Sequence, residues 1–216
     1  MPTLQLLVEG EGDMQAAPVL LRRLLHEELR RYDWQTDPRH TMKVWGLAKL
    51  RQNLPKFIEH LRGKTCDGAM ILLDLEDQLP CQEAPALAEE IAALQPLPFP
   101  VVIVFAYKEY EAWFLAGISS IAARVTYLDS NLTYAADPEA KRGPKKWLDK
   151  QMLPTIKYKE VLHQAEFTRY LDFGQARRAP SFQRLERALQ ELLNAVDAEA
   201  GVGRVSPRRR VALART

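Results

Sequence analysis

Two stretches of the chain are apolar at nearly every position: GAMILLD at 68–74 and FPVVIVFA at 99–106. A strand wetted on one side alternates apolar with polar residues, so a strand that is apolar throughout must be covered on both faces. Neither run approaches the roughly 18 apolar residues that a membrane-crossing helix takes. Both therefore read as interior strands of a parallel sheet held between two layers of helix. TLQLLV at 3–8 has the same character, and MKVWG at 42–46 supplies a shorter strand, second in chain order.

The intervening segments repeat at helical spacing. Leu20, Leu21, Leu24, Leu25 and Leu29 share one face of a helix that Asp13 can cap, with Pro18 in its first turns. Leu50, Leu54, Phe57, Ile58 and Leu61 do the same over 47–62, although Pro55 disturbs the middle, and 83–95 reads as a further helix. Strands that alternate with helices predict an α/β fold with a mostly parallel sheet and right-handed crossovers.

From about residue 120 the pattern changes. Residues 126–147 read as loop, 147–153 and 158–172 as short helices, and 181–197 as an amphipathic helix carrying Phe182, Leu185, Leu189, Leu192, Leu193 and Val196 on one face. The expected organisation is an α/β core over 1–120, a basic loop and helical extension over 121–200 packed on it, and a flexible basic tail over 201–216.

Charge is distributed unevenly. The formal net charge of +2 is too small to imply a nucleic-acid partner. Yet the acidic clusters VEGEGD, LDLED and KEYE come early, whereas KRGPKK, Arg177-Arg178 and the RRR of 208–210 come late. Acid first and base later suits a metal site beside a phosphate-binding surface, although each basic cluster taken alone reads better as solvated charge. The two cysteines, Cys66 and Cys81, are too few for a disulfide framework and fit a reducing cytoplasm. The four histidines are scattered, which argues against zinc. The N-terminus runs straight into a strand, so no signal peptide is expected.

In parallel α/β sheets ligands bind beyond the carboxyl ends of the strands. Glu9 ends the first strand, Asp74 the third, and Glu109 follows the fourth, so all three acidic clusters are expected at one edge. The candidate metal ligands are Glu9, Glu11, Asp74, Glu76, Asp77, Glu109 and Glu111. Hard cations such as Mg²⁺ or Mn²⁺ take carboxylate oxygen, and clustered carboxylates without a cation repel one another. In an extended strand Asp74 and Glu76 share a side while Leu75 points into the core. Lys145 and Lys146, in KRGPKKWLDK, can bind phosphate and stabilise developing charge. Lys108, Lys141 and Arg142 complete the candidate nucleic-acid contacts, with Lys157 and Lys159 as weaker ones and Arg177, Arg178 and Arg184 as contacts to nucleic acid or a partner chain. Trp147 reads as a core anchor for its loop, and His163 and Gln164 as packing residues.

A strand followed by E-G, then a buried strand ending in D-x-D or D-x-E, resembles the TOPRIM domain of topoisomerases, primases and overcoming-lysogenization-defect (OLD) nucleases. LVEGEGD, KEYEAWFL, KRGPKKWL, YKEVLHQAEFT and PSFQRLERAL resemble more closely a bacterial TOPRIM-like family of unknown function, the domain-of-unknown-function 4276 group, from about residue 3 to residue 193. The resemblance implies a TOPRIM-like fold and a Mg²⁺- or Mn²⁺-dependent nuclease. It makes Glu9 a metal ligand or general acid–base, Asp74 and Glu76 the D-x-D pair with Asp77 as substitute, and Glu109 or Glu111 part of a second metal site. Glu76 departs from the usual aspartate. The implied partners are nucleic acid, DNA foremost, and an AAA- or ABC-type ATPase encoded nearby in a setting of phage defence; no membrane partner is expected, and a homodimer is left open. No fused ATPase or tyrosine-bearing domain is evident, which speaks against a self-contained topoisomerase. Two other readings stay open: a non-catalytic regulatory subunit with a degenerate acidic site, and a phosphotransfer or phosphatase-like enzyme acting on small substrates.

Overall fold

The computed structural model describes residues 1–36, 38–94, 97–140 and 142–201, with the side chains of 199–201 excepted. The basic tail beyond 201, Lys141 and Asp37 lie outside the described residues. Four strands form one sheet in the order β2-β1-β3-β4: β1 (Leu4–Val8), β2 (Thr41–Lys43), β3 (Gly68–Leu75) and β4 (Val101–Tyr107). Every pairing is parallel, with Leu6 opposite Met70 and Met70 opposite Val102 across the middle of the sheet. The fold is a mixed α/β, Rossmann-like one, as the continuous apolar runs require.

The sheet divides two apolar layers by side-chain parity. Leu4, Leu6 and Val8 of β1, Met70 and Leu72 of β3, and Val102, Val104 and Ala106 of β4 face one layer. Against them pack α1 (Glu11–Arg23), which continues as a π-helical turn over Leu24–Glu28, then α5 (Glu111–Ala116), α6 (Ile118–Ala122), α7 (Pro144–Gln151), α8 (Glu160–Tyr170), α9 (Phe173–Ala176) and α10 (Pro180–Gly201). Leu7, Ile71, Leu73, Leu75, Ile103 and Phe105 face the other layer, made by α2 (Leu47–Gln52), α3 (Leu54–Arg62) and α4 (Pro80–Ala93). The helix expected over 47–62 is thus two helices. Pro55 has no N–H for a continuing ladder and sits instead in the first turn of α3, where none is needed.

The segment after residue 120 shares the core of the first layer. Phe182, Leu185, Leu189, Leu192 and Leu193 of α10 are fully buried there. The Trp113 indole N–H donates to Ser181 Oγ at 2.7 Å, and the Ser181 backbone N–H donates to Glu139 Oε1 at 2.8 Å, so a loop carboxylate meets the positive end of α10.

The strand order places β1 and β3 side by side at the centre. From β1 the chain moves to β2 on one side, and from β3 to β4 on the other. The crevice beyond their carboxyl ends is the topological switch point of the sheet, where open α/β folds bind ligands.

Candidate active site

At this switch point five carboxylates surround one ammonium group. Glu9 follows β1, and its Oε2 accepts the Asp74 backbone N–H at 3.2 Å, which ties the end of β1 to the end of β3. Asp74 faces the same layer as Met70 and Leu72, and its Oδ1 accepts the Tyr110 N–H at 2.8 Å, reaching to the turn after β4. Glu111, the first residue of α5, is fully buried; its Oε1 accepts from the Tyr158 hydroxyl at 2.9 Å, and its Oε2 has no hydrogen-bond donor. Asp13 accepts from the Gly10 N–H at 2.9 Å and from Gln164 Nε2 at 2.7 Å. Lys145 Nζ stands 2.7 Å from Glu160 Oε1, 3.6 Å from Asp74 Oδ2 and 3.9 Å from Glu111 Oε2.

Crowding and burial shape the electrostatics. Burial, then the charges of Asp13 and Glu111, hold the Asp74 carboxyl well above the usual range. Burial pushes Glu111 up to about 8, against the opposing pull of Lys145. Burial and Asp13 raise Glu9; burial raises Asp13, with the Gly10 and Gln164 hydrogen bonds opposing. Burial acts against the Lys145 ammonium, but Glu111, Asp74 and the contact to Glu160 outweigh it, and the lysine holds its proton above its ordinary value. Burial and mutual repulsion thus favour protons on Asp74 and Glu111, which share one lysine.

The remaining sequence candidates lie elsewhere. Glu11 turns outward from α1 and pairs with Lys43 at 3.0 Å, with its side chain 63% exposed, so it lies apart from the centre. Glu76, Asp77, Glu109, Lys108 and Arg142 line a separate small cleft of about 50 Å³. There Arg142 pairs with Asp77 at 2.7 Å, Lys108 Nζ donates to the Glu76 carbonyl at 2.7 Å, and Glu109 accepts the Lys145 backbone N–H at 2.9 Å, at the start of α7. Lys146 is exposed and lines a wider groove of about 470 Å³ with Lys145, Lys157, Lys159, Asp149, Tyr158 and Glu160. The groove opens on the carboxylate centre, because Lys145 and Glu160 belong to both. Lys141 lies outside the described residues. Arg177 pairs with Glu28 and Glu186, and Arg178 donates to the carbonyls of Ala116, Tyr134 and Ala136. These two arginines hold the fold together.

Sequence reasoning passed over Asp13, Tyr158, Glu160 and Gln164 as site residues. One signal was present: Asp13 shares LVEGEGD with Glu9, and Tyr158, Glu160 and Gln164 stand together in YKEVLHQAEFT. A model of the family described as domain of unknown function (DUF4276) matches residues 8–190. The chain belongs to the DUF4276 family. No match is found among curated proteins or among solved structures. The matched stretch of this DUF4276 chain holds every residue of the centre, and the motifs KEYEAWFL, KRGPKKWL and YKEVLHQAEFT supply Glu111, Lys145 and the Tyr158–Glu160–Gln164 wall. No described helix is long and apolar enough to cross a membrane.

The donor set suits a hard cation. Oxygen from carboxylates is what Mg²⁺ and Mn²⁺ select, repulsion from Asp13 adds to burial in raising Asp74 and Glu111, and Glu111 Oε2 is a buried acceptor without a donor. Among the described residues no three Asp, Glu, His or Cys side chains are arranged to hold a metal ion as they stand. The Lys145 ammonium lies between Asp74, Glu111 and Glu160, so loading requires it to withdraw.

Proposed function

We propose that this DUF4276 chain is a Mg²⁺- or Mn²⁺-dependent nuclease that hydrolyses nucleic-acid phosphodiesters, with Glu9, Asp74 and Glu111 as the cation-holding carboxylates. The observation that carries the reading is that these carboxylates, from the ends of β1 and β3 and the start of the helix after β4, meet at the switch point beside a lysine-lined groove. A divalent cation bound there supplies the charge that activates water and stabilises the leaving oxygen. Glu9, tied by its Oε2 to the Asp74 amide, is placed to accept a proton from the attacking water with its other oxygen. Lys145, once displaced from the carboxylates, holds a non-bridging phosphate oxygen and offsets the charge that develops on it. Lys146, Lys157 and Lys159 hold the flanking phosphates of the strand along the groove. Tyr158 keeps Glu111 aimed at the centre through its 2.9 Å hydrogen bond. Control by an ATPase partner in a defence or DNA-processing system, and a DNA rather than RNA substrate, belong to the same proposal.

One observation favours a second reading. Lys145 already partly neutralises the acidic centre, as in a degenerate site that has become a non-catalytic binding subunit of an ATPase complex. Incubation with linear, plasmid and single-stranded DNA and with RNA, with and without Mn²⁺ and the cognate ATPase, separates the two. The nuclease reading expects Mn²⁺-dependent cleavage that Glu9→Gln or Asp74→Asn lowers by at least about a hundredfold. It fails if no condition gives cleavage, or if cleavage survives both substitutions.

A further inference from the structure

Trp45 is 62% exposed and stands two residues after the end of β2, in the turn that leads to α2. Its backbone continues the parallel ladder past the end of the strand. Val44 N–H donates to the Val8 carbonyl at 2.8 Å, and Trp45 N–H donates to the Glu9 carbonyl at 3.2 Å. The turn that carries Trp45 is therefore bonded to the backbone of the residue whose carboxylate closes the candidate active site. Trp45 also has φ +59°. A bulky side chain in the left-handed region costs roughly 1–2 kcal/mol, and such residues gather at functional sites. Gly46 follows at φ +90°, with its Cα against Glu9: an added Cβ would lie 3.4 Å from Glu9 Oε1. The turn thus fixes an exposed tryptophan and the Glu9 carboxylate relative to each other. Among the described residues Trp45 has no aromatic partner, and Lys43 Nζ lies 5.6 Å from its ring centroid. A flat ring with a cation at its side, one residue from a site that handles phosphates, matches the chemistry of a nucleotide: base on the ring, phosphate near the lysine.

We infer that Trp45 is a stacking platform for an unpaired base of the substrate strand, next to the phosphodiester held at Glu9. The inference rests on the nuclease reading and deepens it, because a base can lie flat on Trp45 only when it is free of its own helix. The substrate is therefore single-stranded, or locally unpaired, at the site of reaction. Lys43 is shared with Glu11 at 3.0 Å and can turn toward the adjacent phosphate.

The test compares the full-length wild type, Trp45→Ala and Trp45→Phe. The probes are a fluorescein-labelled oligothymidylate and the same strand paired with oligoadenylate, in Ca²⁺, which takes carboxylate oxygen in place of Mg²⁺ or Mn²⁺ but not their octahedral geometry, so that binding is read without cutting. Anisotropy gives the binding constants, and intrinsic tryptophan emission is read with unlabelled strand. The wild type is expected to bind the single strand with quenching of its emission. W45A should weaken single-strand binding by about 5- to 150-fold while duplex binding and melting temperature stay unchanged. W45F should retain most of the affinity and lose most of the quench. Equal single-strand affinity in W45A and wild type overturns the inference and leaves the nuclease reading standing, as does an equal loss for duplex and single strand. A W45A protein that binds DNA normally but no longer binds the ATPase would make Trp45 a protein contact and also overturns it. If the wild type binds neither probe, the nucleic-acid reading falls and this inference falls with it.

Discussion

Glu111 Oε2 is sealed from solvent and accepts no hydrogen bond, although Lys145 stands 3.9 Å away. A buried carboxylate in that state keeps its proton, which is why burial raises it to about 8. The unfolded chain releases the same proton near the ordinary value of 4.5. Between these two values the native state binds more protons than the unfolded one, so stability falls as pH rises. The slope reaches at most about 1.4 kcal/mol per pH unit for one group. Urea midpoints measured without divalent cation are therefore expected to drop from about pH 5 to pH 8, and Glu111→Gln should flatten that drop. Parallel curves for the two proteins would mean that Glu111 is ionised throughout. Asp13 and Glu11 show how local geometry sorts neighbouring acids. They are two apart on a helix of about 3.6 residues per turn and so point in nearly opposite directions. Asp13 turns in to Gln164, and Glu11 turns out to Lys43.

The contact between α1 and α8 sets the width of the site at the level of elements. A Cβ on Gly12 would lie 2.1 Å from Gln164 Oε1 and 2.7 Å from Glu160 Cβ, so only glycine lets the two helices approach this closely. Gly12→Ala must push α8 outward and carry Glu160 and Gln164 away from Lys145 and Asp13. It is expected to destabilise the protein by about 1–3 kcal/mol and to lower activity further than stability alone explains. An unchanged melting temperature would contradict this packing. The groove between α7 and α8 makes a separate electrostatic prediction. Lys146 and Lys159 are exposed there and form no ion pair among the described residues. Replacing both with alanine should weaken binding of any sequence and flatten the plot of log affinity against log salt by about 0.7–0.9 per lost phosphate contact. A slope equal to that of the wild type would remove the groove from the strand's path.

The sheet and its acidic edge were legible across the whole molecule because continuous apolarity fixes buried strands and strand ends fix where acids gather. Glu9 and Asp74 were found in this way, and Glu111 as one of two alternatives with Glu109, which lines the Arg142 cleft instead. The strand rule failed where the strand stopped: Leu75 ends β3, so Glu76 lies in the turn and faces the Arg142 cleft instead of sharing the side of Asp74. Lys145 and Lys146 are adjacent, and only the path of α7 decides which of them reaches the carboxylates. Asp13, Tyr158, Glu160 and Gln164 were not legible as a group, because α8 is brought onto α1 by packing across some 150 residues of chain, as the Gln164–Asp13 bond over 151 positions illustrates. Trp45 gave no signal, since exposure and a positive φ belong to the folded turn alone.

All of this depends on Glu9, Asp74 and Glu111 acting together on a cation that takes the place of the Lys145 ammonium. Calorimetric titration of the apo-protein with Mn²⁺ tests that directly. The account predicts saturable binding, weakened at least about tenfold by Asp74→Asn or Glu9→Gln and tightened by Lys145→Met, which removes the competing charge. Absence of Mn²⁺ binding in both the wild type and K145M, or affinity indifferent to all three substitutions, would contradict it.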